Sequence, residues 1–129
     1  TYLYYYFYLI QIPKQNFIKY GEINILHPLD IAVMKIIAIS QRGRKRDFFD
    51  LFWCAQTIEP LEKTIPRLKI QYPTVAHNYH HILKSLVYFA DAEGDPEPEI
   101  FFKAGWKGVK DYFKKEVLNI TKKLIIKME

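Results

Sequence analysis

The spacing of hydrophobic residues changes once along this chain, and the change divides it. Up to residue 26 the apolar positions fall in β-branched and aromatic clusters, Tyr2 to Ile10 first and Glu22 to Leu26 second. Such composition suits a pleated, half-buried surface, so residues 2–12 and Glu22–Leu26 are expected to be strands joined through Pro13 to Gly21. From residue 28 onward, apolar steps of three and four take over, which is the helical period. Pro28 suits a first helical turn and Gly43 ends that helix; a second runs over Lys45–Thr57. Pro60 opens a third over Leu61–Ile70, which Pro66 divides or kinks and Tyr72-Pro73 closes. A fourth is expected over Val75–Ala92, with Ile82, Leu83, Leu86, Val87 and Phe89 as its apolar face. Asp91 to Glu99, holding two prolines and a glycine, reads as an acidic loop and linker. Beyond it Trp106, Val109, Phe113, Val117, Ile120 and Leu124 recur as one amphipathic helix. The pattern predicts an α+β, mainly α protein, with a short strand remnant over residues 1–27 and a helical domain over 28–129.

One residue breaks the strongest of these patterns. Ile31 to Ile39 is apolar except for Lys35, and a helix apolar nearly all round is normally buried. The Lys35 ammonium must therefore reach solvent along its stem, meet a carboxylate, or line a site that binds an anion. The nearest downstream carboxylates are Asp47 and Asp50, whose i,i+3 spacing puts both on one helical face.

Charge adds a second layer. The formal net charge is +5, unevenly spread: residues 42–50 carry four cations and two acids, 91–99 five acids and no base, 104–129 seven lysines and three acids. That balance is compatible with nucleic-acid contact and equally with solvated faces. Cys54 is the sole cysteine, which excludes an intramolecular disulfide and a cysteine-based zinc site and makes a cytoplasmic home the default. The tyrosine-rich opening is too short to cross a bilayer and lacks a basic flank. At 129 residues, half of them hydrophobic, the chain is one-domain sized with enough apolar surface for a core.

The Lys35 segment, Leu29-Asp-Ile-Ala-Val-Met-Lys-Ile-Ile-Ala38, followed by Gln41-Arg-Gly-Arg-Lys-Arg-Asp-Phe-Phe-Asp-Leu51, resembles the paired signatures of the AbiEii/AbiGii-type nucleotidyltransferase toxins. The likeness continues in His81 to Glu93 and Gly105 to Lys110, and spans about Ile23 to Val117. It implies a fold corresponding to the C-terminal part of a polymerase-β-like nucleotidyltransferase in a type IV toxin–antitoxin or abortive-infection system. It also implies Lys35 and Asp47 as catalytic residues, Arg42, Lys45, Arg46 and Asp50 as nucleotide contacts, and no metal ligand among them. For the intact enzyme it implies Mg2+ and a nucleoside triphosphate, a tRNA or other RNA acceptor, and a cognate antitoxin. It gives no membrane role and leaves the oligomeric state open.

The resemblance departs in one respect. The family's magnesium carboxylates lie on a Gly-Ser…Asp-x-Asp unit, and no such unit precedes Lys35; the first acid is Glu22 and there is no initiator Met. Phosphoryl transfer needs divalent metal on carboxylate oxygens. The chain is therefore expected to be the nucleotide-positioning portion of such an enzyme, active only with a separate or missing catalytic half. A non-catalytic remnant that binds RNA, a nucleotide or a protein is the alternative.

Every motif also has a plain structural use. The Arg42 to Arg46 run can be a solvated turn, and Asp47 can pair with Arg44 or Arg46. His77, His80 and His81 are expected to pack or face solvent rather than bind metal, since no His-Glu-x-x-His accompanies them. Phe48, Phe49, Phe52 and Trp53 are expected in the core. The lysines of the last helix, Lys107, Lys110, Lys114 and Lys115, suit either an RNA-facing surface or local pairs such as Lys107 with Asp111.

Overall fold

In the computed structural model residues 13–73 and 76–128 are described, and they form a two-stranded antiparallel hairpin followed by seven helices. The strand expected over residues 2–12 lies outside the described residues. Strand β1 is Ile18–Tyr20 and β2 is Ile23–Ile25, with Ile18 opposite Ile25 and Tyr20 opposite Ile23. Only a two-residue turn is left between them, and Gly21 takes φ of 64° there, a conformation an L side chain resists. β2 falls within the expected strand. β1 falls inside the segment expected to be a connection: Phe17-Ile-Lys-Tyr20 is itself β-favouring, and the Gly21 turn folds it onto β2. All six strand residues are exposed. What ties this end to the helices is Asp30, whose buried carboxylate accepts the backbone N–H of Gln15 at 3.1 Å and of Lys14 at 3.4 Å.

Helix α1 is Pro28–Arg42 and α2 is Lys45–Thr57, as their apolar spacing predicts. Pro28 occupies the first turn, where its missing N–H costs nothing, and His27 Nδ1 accepts from the Leu29 N–H at 3.1 Å. Gly43 ends α1 in an extended conformation rather than a left-handed one. Its requirement is space: a Cβ at Gly43 would stand 2.8 Å from the ring of buried Phe48. The two helices thus close tightly at this end and pack as antiparallel neighbours. Pro66 divides the next segment into α3 (Leu61–Thr64) and α4 (Arg67–Gln71).

The fourth helix departs from expectation. Instead of one element over Val75–Ala92 there are α5, Tyr79–Ser85, and α6, Ala90–Glu93. Asn78 caps α5 by accepting the His81 N–H at 3.0 Å, which sets its start. After Ser85 the backbone tightens, Val87 and Tyr88 donating to carbonyls three residues back. That turn swings Phe89 inward, its ring 5.2 Å from Phe48, so packing overrides a continuous apolar period. The last helix, α7, is Trp106–Met128. Val109, Phe113, Val117 and Ile120 are buried as expected, whereas Leu124 is 43% exposed.

The core gathers Val33, Ile36 and Ile39 of α1, Phe48, Phe49 and Leu51 of α2, and Leu61 and Leu68 of the split pair. Leu86, Phe89, Val109 and Phe113 close it from the other side. Phe48 stands at its centre, with Trp106 and Phe113 edge-on at 5.7 and 5.4 Å. Burying each such side chain contributes about 1.5–3 kcal/mol. No helix among the described residues is long and apolar enough to cross a membrane.

Candidate functional site

The antiparallel pairing of α1 and α2 brings Lys35 over the first two turns of α2. Its Nζ donates to Asp47 Oδ1 at 3.1 Å and lies 3.0 Å from Asp50 Oδ2. The second oxygen of Asp47 accepts the Arg44 backbone N–H at 3.2 Å, so this carboxylate also satisfies an orphan donor at the start of α2. The side chains are 25% exposed for Lys35, 14% for Asp47 and 36% for Asp50. Burial opposes the Lys35 charge, but the Asp47 and Asp50 carboxylates outweigh it and raise its pKa above the ordinary value. The ammonium is held charged and fixed in position. Two of its N–H groups are directed to carboxylates, which leaves the third for another acceptor. One cation against two carboxylates gives the cluster a negative balance.

The other residues of the basic turn separate into two groups. Arg42 and Arg46 are exposed and make no ion pair among the described residues. Arg42 stands seven residues after Lys35 and Arg46 four before Asp50, so helical spacing returns both to the side of the cluster. Lys45 goes elsewhere. It is buried, its Nζ 3.2 Å from Glu97 Oε1 and 5.3 Å from the centroid of the Trp106 ring. Its backbone N–H donates to Asp95 Oδ2 at 3.0 Å, and Asp95 Oδ1 pairs with the Arg44 guanidinium. Glu93 completes this latch, accepting from Trp106 Nε1 at 3.0 Å and pairing with Lys110 at 2.9 Å.

The acidic segment from Asp91 to Glu99 is therefore not a linker. Its first residues belong to α6, and its carboxylates hold the N-terminus of α2 against α7. Sequence reasoning overlooked Asp95 and Glu97, although five acids without a base, in a chain with a four-cation turn, were the available signal.

His77 and His81 serve the fold, and His80 is exposed. His81 Nε2 is 2.8 Å from the Ser40 carbonyl and His77 Nε2 is 3.1 Å from the Tyr72 carbonyl, geometry that makes each an N–H donor. Among the described residues no three His, Cys, Asp or Glu side chains converge as a metal site. Asp47 and Asp50 do not fit a divalent cation either, because the Lys35 ammonium stands between their oxygens. On α7, Lys107 pairs with Asp111 at 2.9 Å in the expected i,i+4 manner. Buried Cys54 has its thiol pushed up to about 11 by desolvation and by the nearby Asp50 charge, which removes it as a nucleophile at neutral pH.

A family model described as the nucleotidyl transferase AbiEii toxin of type IV toxin–antitoxin systems matches residues 8–121, which includes every residue of this site. An uncharacterized protein of Aquifex aeolicus (strain VF5), aq_aa25, is 38% identical over 92 residues, covering 68% of this chain and 41% of that relative. The chain spans about two fifths of the length of that relative. No solved structure matches the chain.

Proposed function

The chain belongs to the nucleotidyl transferase AbiEii toxin family, and from that premise we propose that it is the nucleotide-positioning portion of a toxin that transfers a nucleotide from a nucleoside triphosphate to RNA. The observation that carries this reading is the Lys35 ammonium held 3.1 and 3.0 Å from the Asp47 and Asp50 carboxylates on one partly open face. In this reading Arg42 and Arg46 take the phosphates, since arginine forks match phosphate oxygens and these two make no ion pair among the described residues. Lys35 offers its third N–H to an oxygen near the reacting phosphorus and offsets part of the negative charge of Asp47 and Asp50, the rest being countered by Arg42 and Arg46. Asp47 accepts a proton or a hydroxyl hydrogen bond from the acceptor, while Asp50 holds Lys35 in place. Lys45, committed to Glu97 and Trp106, belongs to the scaffold of this reading rather than to its nucleotide contacts.

Among the described residues no carboxylate cluster forms a magnesium site, and in this reading the metal carboxylates come from a separate segment. Supplied alone with magnesium and labelled ribonucleoside triphosphates, the chain is expected to transfer no label to tRNA. It is expected to bind triphosphates weakly, and Lys35→Ala weakens that binding more than Lys115→Ala, which alters an exposed lysine of α7. Equal effects of the two substitutions would mean diffuse attraction to a basic surface and would overturn the site. Transfer by the chain alone, after controls for contaminating enzyme, would overturn the division of labour.

A further inference from the structure

A cleft of about 250 Å3 opens beside the Lys35 cluster, one helical turn along both helices, with an aliphatic floor and the rings of Trp53, Phe101 and Phe102 in its walls. Ile31 on α1 is four residues before Lys35, and Trp53 and Cys54 on α2 are three and four after Asp50. Antiparallel packing places these steps on the same side, about 6 Å of helical rise from the cluster. The segment before α7 supplies Phe101 and Phe102, with the Phe101 ring 5.8 Å from Trp53 and the Phe102 ring 6.5 Å from Phe52. Phe101 is 86% exposed, a large ring held at the mouth of the cleft rather than packed away.

One charged side chain reaches this cleft, Asp50. Its Oδ2 is engaged by Lys35, while its Oδ1 has no hydrogen-bond partner among the described residues. Aromatic walls with a lone acceptor suit a flat ring that stacks on its faces and presents an N–H at one edge. A pocket built this way discriminates by donor: an exocyclic amine reaches the carboxylate freely, whereas the ring N–H of uracil is flanked by two carbonyls whose oxygens repel it.

We propose that this cleft is a nucleobase subsite that takes a base carrying an exocyclic amine, stacked on Trp53 with the Phe101 ring, tilted 63° to it, edge-on at the mouth, and with its amine on Asp50. Cytosine, adenine and guanine carry such an amine and uracil does not. The proposal rests on the nucleotide-positioning reading and extends it, giving the bound nucleotide a direction: base at the Trp53 end of the α1–α2 face, phosphates toward Arg42 and Arg46 at the other.

The test separates the two ends. Calorimetric titration of the chain uses nucleosides, which report the base subsite alone, and inorganic triphosphate, which reports the arginine end alone. Cytidine, adenosine or guanosine is expected to bind measurably and more tightly than uridine. Phe101→Ala, at a position exposed enough to spare the fold, is expected to weaken nucleoside binding about fivefold or more while leaving triphosphate binding unchanged. Triphosphate binding with no nucleoside binding would overturn the subsite and leave the phosphate reading standing. Nucleoside binding indifferent to Phe101→Ala, or equally tight for uridine, would also overturn it. Failure of both ligands would remove the reading on which the subsite rests.

Discussion

Lys35 and Lys45 are ten residues apart, both largely shielded and both paired with carboxylates, yet they belong to different parts of the molecule's logic. Lys35 faces two acids on the neighbouring helix, and a quarter of its side chain stays open to solvent. Lys45 is 6% exposed, packs its ammonium against Trp106, and meets a Glu97 carboxylate that is itself 65% exposed. Losing Lys45 leaves Glu97 free to be hydrated. Losing Lys35 leaves two partly buried carboxylates facing each other. The worth of a shielded cation therefore lies in what its removal strands. A lysine whose two acids crowd one ammonium marks a preorganised cluster, and one whose single acid is already wet marks a latch.

The largest effect is expected where the two regions share a side chain. Phe48 packs against Gly43 at the α1–α2 turn and against Phe89, Trp106 and Phe113 behind the latch. Phe48→Ala is expected to cost about 3–5 kcal/mol, read by urea unfolding, and to loosen both lysines together. Asp95→Ala is next. It strands the Lys45 backbone N–H and frees Arg44, so about 1.5–3 kcal/mol should be lost, with Lys35 still paired. A loss below about 0.5 kcal/mol would mean the latch is solvated and idle.

Smaller effects separate the lysines themselves. Lys35→Met is expected to destabilise by about 1–2 kcal/mol at neutral pH, the order of a charge-assisted hydrogen bond. Its pH dependence follows from the sign of the shift. The folded pKa of Lys35 is raised by Asp47 and Asp50 over the opposing effect of burial, so its contribution is fully present below the unfolded value of about 10.4. As pH climbs through the raised folded value the contribution disappears, and wild type and variant should converge in alkaline unfolding titrations. A constant gap into that range would assign the loss to packing of the lysine stem. Lys45→Met should change stability by less than about 1 kcal/mol in either direction, because methionine fills the same volume beside Trp106.

These contrasts also mark how far the sequence could be read. Helices α1 and α2 were legible because Pro28, Gly43 and an apolar period set their ends, and the i,i+3 spacing of Asp47 and Asp50 anticipated one shared face. The resemblance pointed to Lys35 with them. It could not tell that Lys45, in the same basic run, turns inward: two adjacent residues on a helix diverge by about 100°, and which direction meets Asp95 depends on a segment fifty residues away. The break in the fourth helix was hidden for the same reason. Leu86 to Phe89 continue an apolar period, and only the Phe48 ring explains why the backbone turns there. Phe101 and Phe102 carried no periodic signal, since they lie between helices and gain meaning only where Trp53 meets them.

In the proposed function the nucleotide lies on the Lys35 side of α2 and not on the Lys45 side. The direct measurement is calorimetric titration of a ribonucleoside triphosphate into wild type, Lys35→Met and Lys45→Met, each first shown folded by circular dichroism. At least about a tenfold loss, a difference of about 1.4 kcal/mol, is expected for Lys35→Met, and a change within about twofold for Lys45→Met. Equal losses, or a larger loss at Lys45, would contradict this placement.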